Sequence, residues 1–279
     1  MLLGTIAVLS AVLAAVTCGV SGGFDGMTWL WLLPVGFVGS FLVLALLALL
    51  LIWFFCAIVR LDKEQEEDSK FYRWIAKLVV EAILTILQMR VHTVGLEKTP
   101  KEGRFLLVCN HLNDLDPVTL LHFFRNSQLA FISKRENSTM FLVGKLMHKL
   151  MCQLINREND REALKTILKC VEIVKADKAS IAVFPEGYTS RDHKLHKFRS
   201  GVFKIAQKAK IPIVVCTITN TYRVFHNALR LKPTDIELHL VEVIQPEEFA
   251  GMTTVELGER IHTMMAADLG PAYAPEENT

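Results

Sequence analysis

Asn110-His111-Leu112-Asn113-Asp114-Leu115-Asp116-Pro117 sets an imidazole five residues ahead of a carboxylate, directly after the apolar run Phe105–Cys109. A histidine exposed where a strand ends can take a proton from a substrate hydroxyl, and an aspartate on its other ring nitrogen can orient it. Five residues of continuous helix would turn Asp116 roughly 140° away from His111, so the two can meet only if Leu112–Leu115 form a loop. Asp116-Pro117 predicts the helix start that ends such a loop, with Asp116 as N-cap and proline at the first helical position. The plainer reading leaves Asp116 a capping residue and His111 a structural one. The motif alone does not choose between them.

Other segments with reactive side chains also close apolar runs. Phe184-Pro185-Glu186-Gly187 is a turn that exposes a carboxylate beside flexible backbone, and Tyr188-Thr189-Ser190-Arg191 adds hydroxyls and a cation. Leu154-Ile155-Asn156-Arg157 delivers an arginine, and Ile132-Ser133-Lys134-Arg135 two cations. Arg191, Lys194, Lys197 and Arg199 form a local basic cluster in a chain of formal net charge +2. Single cations are usually solvated, but several converging on one sheet edge point to an anionic ligand, and arginine is the side chain best shaped to grip phosphate. Nucleic acid is the other common anion, yet the chain has no strongly basic domain and no recognition motif, so no nucleic acid partner is expected.

Alternating elements must position these residues. Apolar runs at Phe105–Cys109, Ala130–Ser133, Gln153–Asn156, Ser180–Phe184, Ile211–Thr219 and Ile236–Ile244 predict strands. Between them, Pro117–Arg125, Thr139–Met151, Glu158–Lys175, Gly201–Lys208 and Thr254–Leu269 predict helices. The alternation is that of an α/β domain whose mixed, mainly parallel sheet is flanked by helices, with functional residues at strand ends. Ala272–Thr279 reads as a loose tail.

The 279 residues are 51% hydrophobic with a mean hydropathy of +0.32, and the excess sits at the front. Asp25 is the only charged residue before Arg60. Met27–Val59 is an uncharged run of roughly 33 residues, beyond the ~20 that span a bilayer. A membrane helix is expected over about Gly36–Val59, and Met1–Val20 is a second apolar stretch joined to it by the flexible Ser21–Gly26. No Lys or Arg precedes the first stretch, which favours an uncleaved anchor over a signal peptide. Arg60, Lys63, Lys70, Arg73 and Lys77 place the remainder of the chain in the cytoplasm. Phe71–Arg90 predicts an amphipathic helix that either lies at the lipid headgroups or packs on the globular domain. The resulting division is a membrane anchor over residues 1–90 and a cytoplasmic domain over 91–279. Six cysteines in apolar contexts, without CxxC pairs, read as reduced core residues.

Four blocks in order carry a resemblance: Asn110-His111 with Asp116; Leu154-Ile155-Asn156-Arg157; Phe184-Pro185-Glu186-Gly187; and Ile211-Pro212-Ile213-Val214. Over roughly Val91–Ile244 the chain resembles the 1-acylglycerol-3-phosphate acyltransferase family of glycerophospholipid acyltransferases. Lys197-Phe198-Arg199-Ser200-Gly201 also resembles that family's Phe-Lys-x-Gly segment. Two departures stand out: Tyr188-Thr189-Ser190-Arg191 replaces the usual Thr-Arg-Ser, moving the arginine by two positions, and Leu112-Asn113 replaces Gln-Ser.

The resemblance implies the glycerolipid acyltransferase fold and transfer of a fatty acyl group from coenzyme A or acyl carrier protein to the free hydroxyl of lysophosphatidic acid, giving phosphatidic acid in phospholipid biosynthesis. It implies no cofactor beyond that thioester co-substrate and a cytoplasmic membrane location among membrane lipids. His111 would be the general base and Asp116 its orienting carboxylate. Asn110, Glu186 and Gly187 would contact the acceptor, and Arg157, Arg191 and Lys134 its phosphate. Glycerol 3-phosphate or another lysophospholipid is the alternative acceptor.

Three rival readings are weaker. Gly19-Val20-Ser21-Gly22-Gly23 matches a hydrolase nucleophile elbow, but between membrane stretches. His111, Asp114 and Asp116 make a poor metal set, and His193 with His196 a loose one. A non-catalytic lipid-binding protein would not need His111 and Asp116 intact.

Overall fold

The computed structural model describes residues 1–274, so the expected tail lies outside the described residues from 275 onward. Its first part is not loose: Pro271–Tyr273 form a 3-10 turn, and the Tyr273 hydroxyl accepts a hydrogen bond from Asn220 N at 3.3 Å.

The chain divides into two compact units, the first being Met1–Asp62. It is a helical hairpin of α1 (Leu2–Val20) and α2 (Trp29–Ala57), joined by a short turn at Gly23–Asp25. Ile6, Ser10, Ala14 and Cys18 recur every fourth residue and form the buried stripe of α1. Small side chains in that stripe allow close backbone approach. A Cβ on Gly36 would sit 3.3 Å from that of Ala14, and Ser40 Oγ donates to Ser10 O at 3.2 Å. Both helices are long and apolar enough to cross a membrane. Ser21 merely closes α1, its hydroxyl donating to Thr17 O and Cys18 O, which is no strand-to-helix elbow.

The second unit begins at Lys63 and holds a seven-stranded sheet. Its strands are β1 (Met89–Val94), β2 (Leu106–Cys109), β3 (Leu129–Lys134), β4 (Gln153–Ile155), β5 (Ser180–Val183), β6 (Ile213–Ile218) and β7 (Thr234–Ile244), in the order β1-β7-β6-β2-β5-β3-β4. Strands β2 to β6 run parallel to one another, and β7 is antiparallel to β6 and parallel to β1. The sheet is therefore mixed and mainly parallel, as the alternation predicts. Every strand from β2 to β6 delivers its carboxyl end to one edge.

Alternation along the central strands builds two cores. Leu106 and Val108 of β2, with Ile181, Val183, Ile213 and Val215, face α6 (Asp160–Lys175), α7 (Lys204–Ala209) and α9 (Thr254–Leu269). Leu107 and Cys109, with Ala182, Val214 and Cys216, face α3 (Lys70–Ile86), α4 (Asp116–Phe123) and the short α8 (Val224–Ala228). Burial on both faces explains why these strands read as continuous apolar runs. The remaining helix, α5 (Phe141–Lys149), connects β3 to β4.

Helix α3 belongs to this unit, not to the apolar hairpin with which its sequence grouped it. Val80 and Leu84 enter the second core, and Arg73 is committed to the protein: it pairs with Asp68 at 2.5 Å and donates to Leu129 O at 3.2 Å. Arg73 thus ties the helix to the start of β3 and is not a headgroup contact. Gln88, at φ 50°, breaks the helix before the predicted end at Arg90 and lets Met89–Val94 pair with β7. The six cysteines are free, five of them buried.

Candidate active site

His111 follows β2 at the centre of the carboxyl edge, flanked by the turns after β5 and β6. The imidazole Nδ1 lies 2.9 Å from Asp116 Oδ2 across the loop Leu112–Leu115. Asp116 is fully buried, and four donors converge on it: His111 Nδ1, Leu112 N at 2.6 Å, Asn113 N at 2.8 Å and the Thr221 hydroxyl at 2.5 Å. Four donors on two oxygens require an acceptor-only carboxylate, so Nδ1 carries the proton and Nε2 presents its lone pair. The expected capping role is corrected here. Helix α4 starts at Asp116 with Leu115 as its N-cap, and the carboxylate binds the N–H groups of the preceding loop instead of those of the helix. Its place in the first turn still sets its charge at the favourable end of the helix dipole.

The residue is held at three further points, two of them on the ring. Phe184 stacks on it at 4.2 Å between centroids and 18° between planes. The Thr189 hydroxyl lies 3.1 Å from Nε2, and Ser190 N donates to His111 O at 2.8 Å. Cys109 is close to this site in sequence but is no nucleophile. Burial pushes its thiol well above the ordinary value, and the nearby Cys216, Asp116 and Glu186 push the same way.

Glu186 is buried, and its two oxygens accept from His111 N and His196 N, each at 3.0 Å. The carboxylate therefore ties the end of β2 at His111 to the far end, at His196, of the loop that carries Thr189. Burial raises its pKa, opposed by those two backbone donors. Gly187 sits at φ +83°, and a Cβ there would come within 3.0 Å of the Arg199 side chain. Beside it a pocket of about 240 Å³ is lined by Phe184, Gly187, Ile155, Arg157 and Arg199. Arg199 Nη1 donates to Arg157 O at 3.3 Å, and burial with the nearby Arg199 lowers the Arg157 pKa. Two arginine side chains at a partly apolar pocket are suited to hold an anion. Among the described residues, no group of three or more His, Cys, Asp and Glu side chains is arranged to hold a metal ion.

A family model described as Acyltransferase matches residues 90–219, the segment from β1 just past β6 that carries nearly every group above. A probable 1-acyl-sn-glycerol-3-phosphate acyltransferase of Mycoplasma pneumoniae is 31% identical over 173 residues, 61% of this chain and 62% of that protein. Over this segment the chain is similar to 1-acyl-sn-glycerol-3-phosphate acyltransferases. A chloroplastic member from Brassica napus is 32% identical over 157 residues, 56% of this chain and 44% of that one. The chain spans only 44–62% of the length of these relatives. The crystal structure of the 1-acyl-sn-glycerophosphate (LPA) acyltransferase of Thermotoga maritima superposes with a TM-score of 0.61 at 22% identity, over 78% of this chain and 86% of that one, which shows a shared fold.

The site differs from its sequence reading at several residues. Asn110 is no substrate contact: it is buried, its amide donates to Ile218 O at 2.9 Å and accepts from Ile218 N at 2.8 Å, and it thereby locks the ends of β2 and β6 together. Glu186 has both oxygens occupied by backbone and shapes the loop from within. Arg157 is at the pocket, whereas Arg191 and Lys134 are exposed and do not line it; Arg199 takes that position. The signal for Arg199 is present in Phe198-Arg199-Ser200-Gly201, but its cation stands among others too numerous to rank. Thr221 leaves no signal, because its hydroxyl reaches Asp116 across 105 positions of sequence. His196 pairs with Asp192 at 2.8 Å and His193 stacks on Tyr222 at 3.8 Å, so each is already engaged.

The arginine pair gives a first prediction. Arg157→Ala and Arg199→Ala should each raise the acceptor KM by roughly 10- to 100-fold, the size of a lost charged hydrogen bond, with kcat changed far less. Initial-rate kinetics over a range of acceptor concentration would check it, and a fall in kcat at constant KM would place the anion elsewhere.

Proposed function

We propose that this chain moves a fatty acyl group from an acyl thioester, on coenzyme A or acyl carrier protein, to the sn-2 hydroxyl of 1-acyl-sn-glycerol 3-phosphate, forming phosphatidic acid. The observation that carries the reading is His111, with Nδ1 fixed by a buried carboxylate and Nε2 facing a hydroxyl at 3.1 Å. The acceptor hydroxyl replaces Thr189 at Nε2, gives its proton to the imidazole and attacks the thioester carbonyl. The tetrahedral intermediate then expels the thiolate, which takes the proton back from His111 as the C–S bond breaks. Asp116 stabilises the imidazolium between those steps. Arg157 and Arg199 hold the acceptor phosphate at the neighbouring turn. The apolar helices α1 and α2 anchor the chain in the cytoplasmic membrane, where acceptor and product reside, with the α/β unit on the cytoplasmic side.

Full-length protein in detergent, given lysophosphatidic acid, glycerol 3-phosphate and lysophosphatidylcholine in competition with an acyl thioester, tests this. Phosphatidic acid should dominate the products by mass spectrometry. Acylation of another acceptor in preference, or no thioester consumption, would overturn the assignment, and parallel reactions with coenzyme A and carrier-protein thioesters identify the donor.

Thr189 supplies a second prediction. Its hydroxyl competes with the acceptor for Nε2, so Thr189→Val should lower the acceptor KM by roughly 2- to 10-fold, the worth of one net hydrogen bond. A higher KM on the same assay would mean that the hydroxyl contacts the substrate.

A further inference from the structure

Between Thr221 and Thr234 the chain leaves the end of β6 and returns as β7, at the same edge that carries His111. Asn227 Nδ2 donates to the Thr234 hydroxyl at 3.0 Å, and Leu231 N and Lys232 N close turns onto Ala228 O and Asn227 O, so this excursion is built and not slack. Val224 is buried and fastens it to the core. Its outer side chains run against the usual pattern of a surface turn: Phe225 is 51% exposed, Leu229 89% and Leu231 82%. Leu231 also occupies the left-handed region at φ 55°, where glycine or asparagine would be less strained. A strained leucine pointing outward has no stabilising role in the isolated domain.

The charges on the segment have one sign. Arg223, Arg230 and Lys232 alternate with those apolar side chains, and no acid lies between Asn220 and Thr234. The nearest acid in sequence, Asp235, faces His92 at 3.1 Å. Interleaved cations and exposed apolar groups match a surface that is anionic outside and hydrocarbon within. A water-exposed surface would favour neither the exposed leucines nor the uniform charge.

We propose that residues 223–232 form a lipid-insertion loop, with Phe225, Leu229 and Leu231 entering the acyl boundary of an anionic bilayer while Arg223, Arg230 and Lys232 bind its phosphates. The loop begins two residues after Thr221, whose hydroxyl holds Asp116. Insertion therefore sets the carboxyl edge of the sheet at headgroup depth. The inference stands on exposure, strain and charge, independently of the acyl-transfer reading.

Full-length protein carrying a nitroxide at Leu229→Cys, reconstituted into vesicles of phosphatidylcholine with phosphatidylglycerol, tests it by electron paramagnetic resonance. Val255→Cys, on an exposed position of α9, is the aqueous control, and labelled wild type corrects for native thiols. At 229, collisions with oxygen should exceed those with a water-soluble nickel chelate; at 255 the order should reverse. Adding Arg230→Glu and Lys232→Glu should return the 229 label to water. Chelate access at 229 equal to that at 255 would overturn the proposal, as would a depth unchanged by the charge reversal.

Discussion

His111→Ala is expected to lower turnover of acyl thioester and lysophosphatidic acid by roughly 10²- to 10⁴-fold, the range supplied by a positioned general base, while acceptor binding changes little. The reasoning rests on where the imidazole's contacts lie. Its ring reaches Asp116, Thr189 and Phe184, and none of these belongs to the arginine pair, so removing the ring leaves Arg157 and Arg199 in place. Its backbone N–H still meets Glu186, because an alanine keeps that bond. The loss should therefore appear in kcat, with the acceptor dissociation constant nearly that of wild type when measured directly by calorimetry. Asp116→Asn should match that loss and add instability: an amide NH₂ cannot accept, yet donors from Leu112, Asn113, Thr221 and His111 all point at the site. Substantial turnover in purified His111→Ala would remove the base assignment.

How much a sequence discloses depends on how locally each feature is encoded. The His111–Asp116 pair is legible because both members sit in one loop, and the loop is forced by helix geometry. Strand β2 is legible because burial on both faces leaves an unbroken apolar run. Strand β1 is not: Met89–Val94 is half-exposed at the sheet edge, and its pairing with β7 lies 145 positions away, between Met89 and Thr234. The error at Asp116 has a similar origin. Asp-Pro is a sound helix-start signal, but a carboxylate bends to whichever N–H groups surround it, and here the preceding loop folds back over it. Asn110 and Glu186 read as substrate contacts because polar residues beside a catalytic histidine suggest chemistry. Their partners, on Ile218, His111 and His196, are backbone groups that sequence does not display.

Glu186→Gln should lower stability and turnover together. Each Glu186 oxygen accepts one backbone N–H, from His111 and from His196. Glutamine keeps one acceptor and turns an NH₂ toward the other N–H, leaving a buried donor unsatisfied at about 1–3 kcal/mol. For a domain of about 200 residues that corresponds to roughly 2–12 °C in Tm. Because the lost bond fixes either His111 or the loop carrying Thr189, kcat should fall by roughly 10- to 100-fold through misplacement of the base. The pH dependence comes from burial, which raises the folded-state pKa above that of the unfolded chain. Such a group contributes its full stability below the unfolded value of about 4.3, and that contribution is lost as pH rises through the raised folded value. The Tm difference between wild type and Glu186→Gln should accordingly be widest in acid and narrow toward neutrality. Thermal unfolding in detergent across that range reads it directly. A difference that widened with pH would mean that the two N–H donors outweigh burial and hold the carboxylate ionised, making the loop clasp an ionic one.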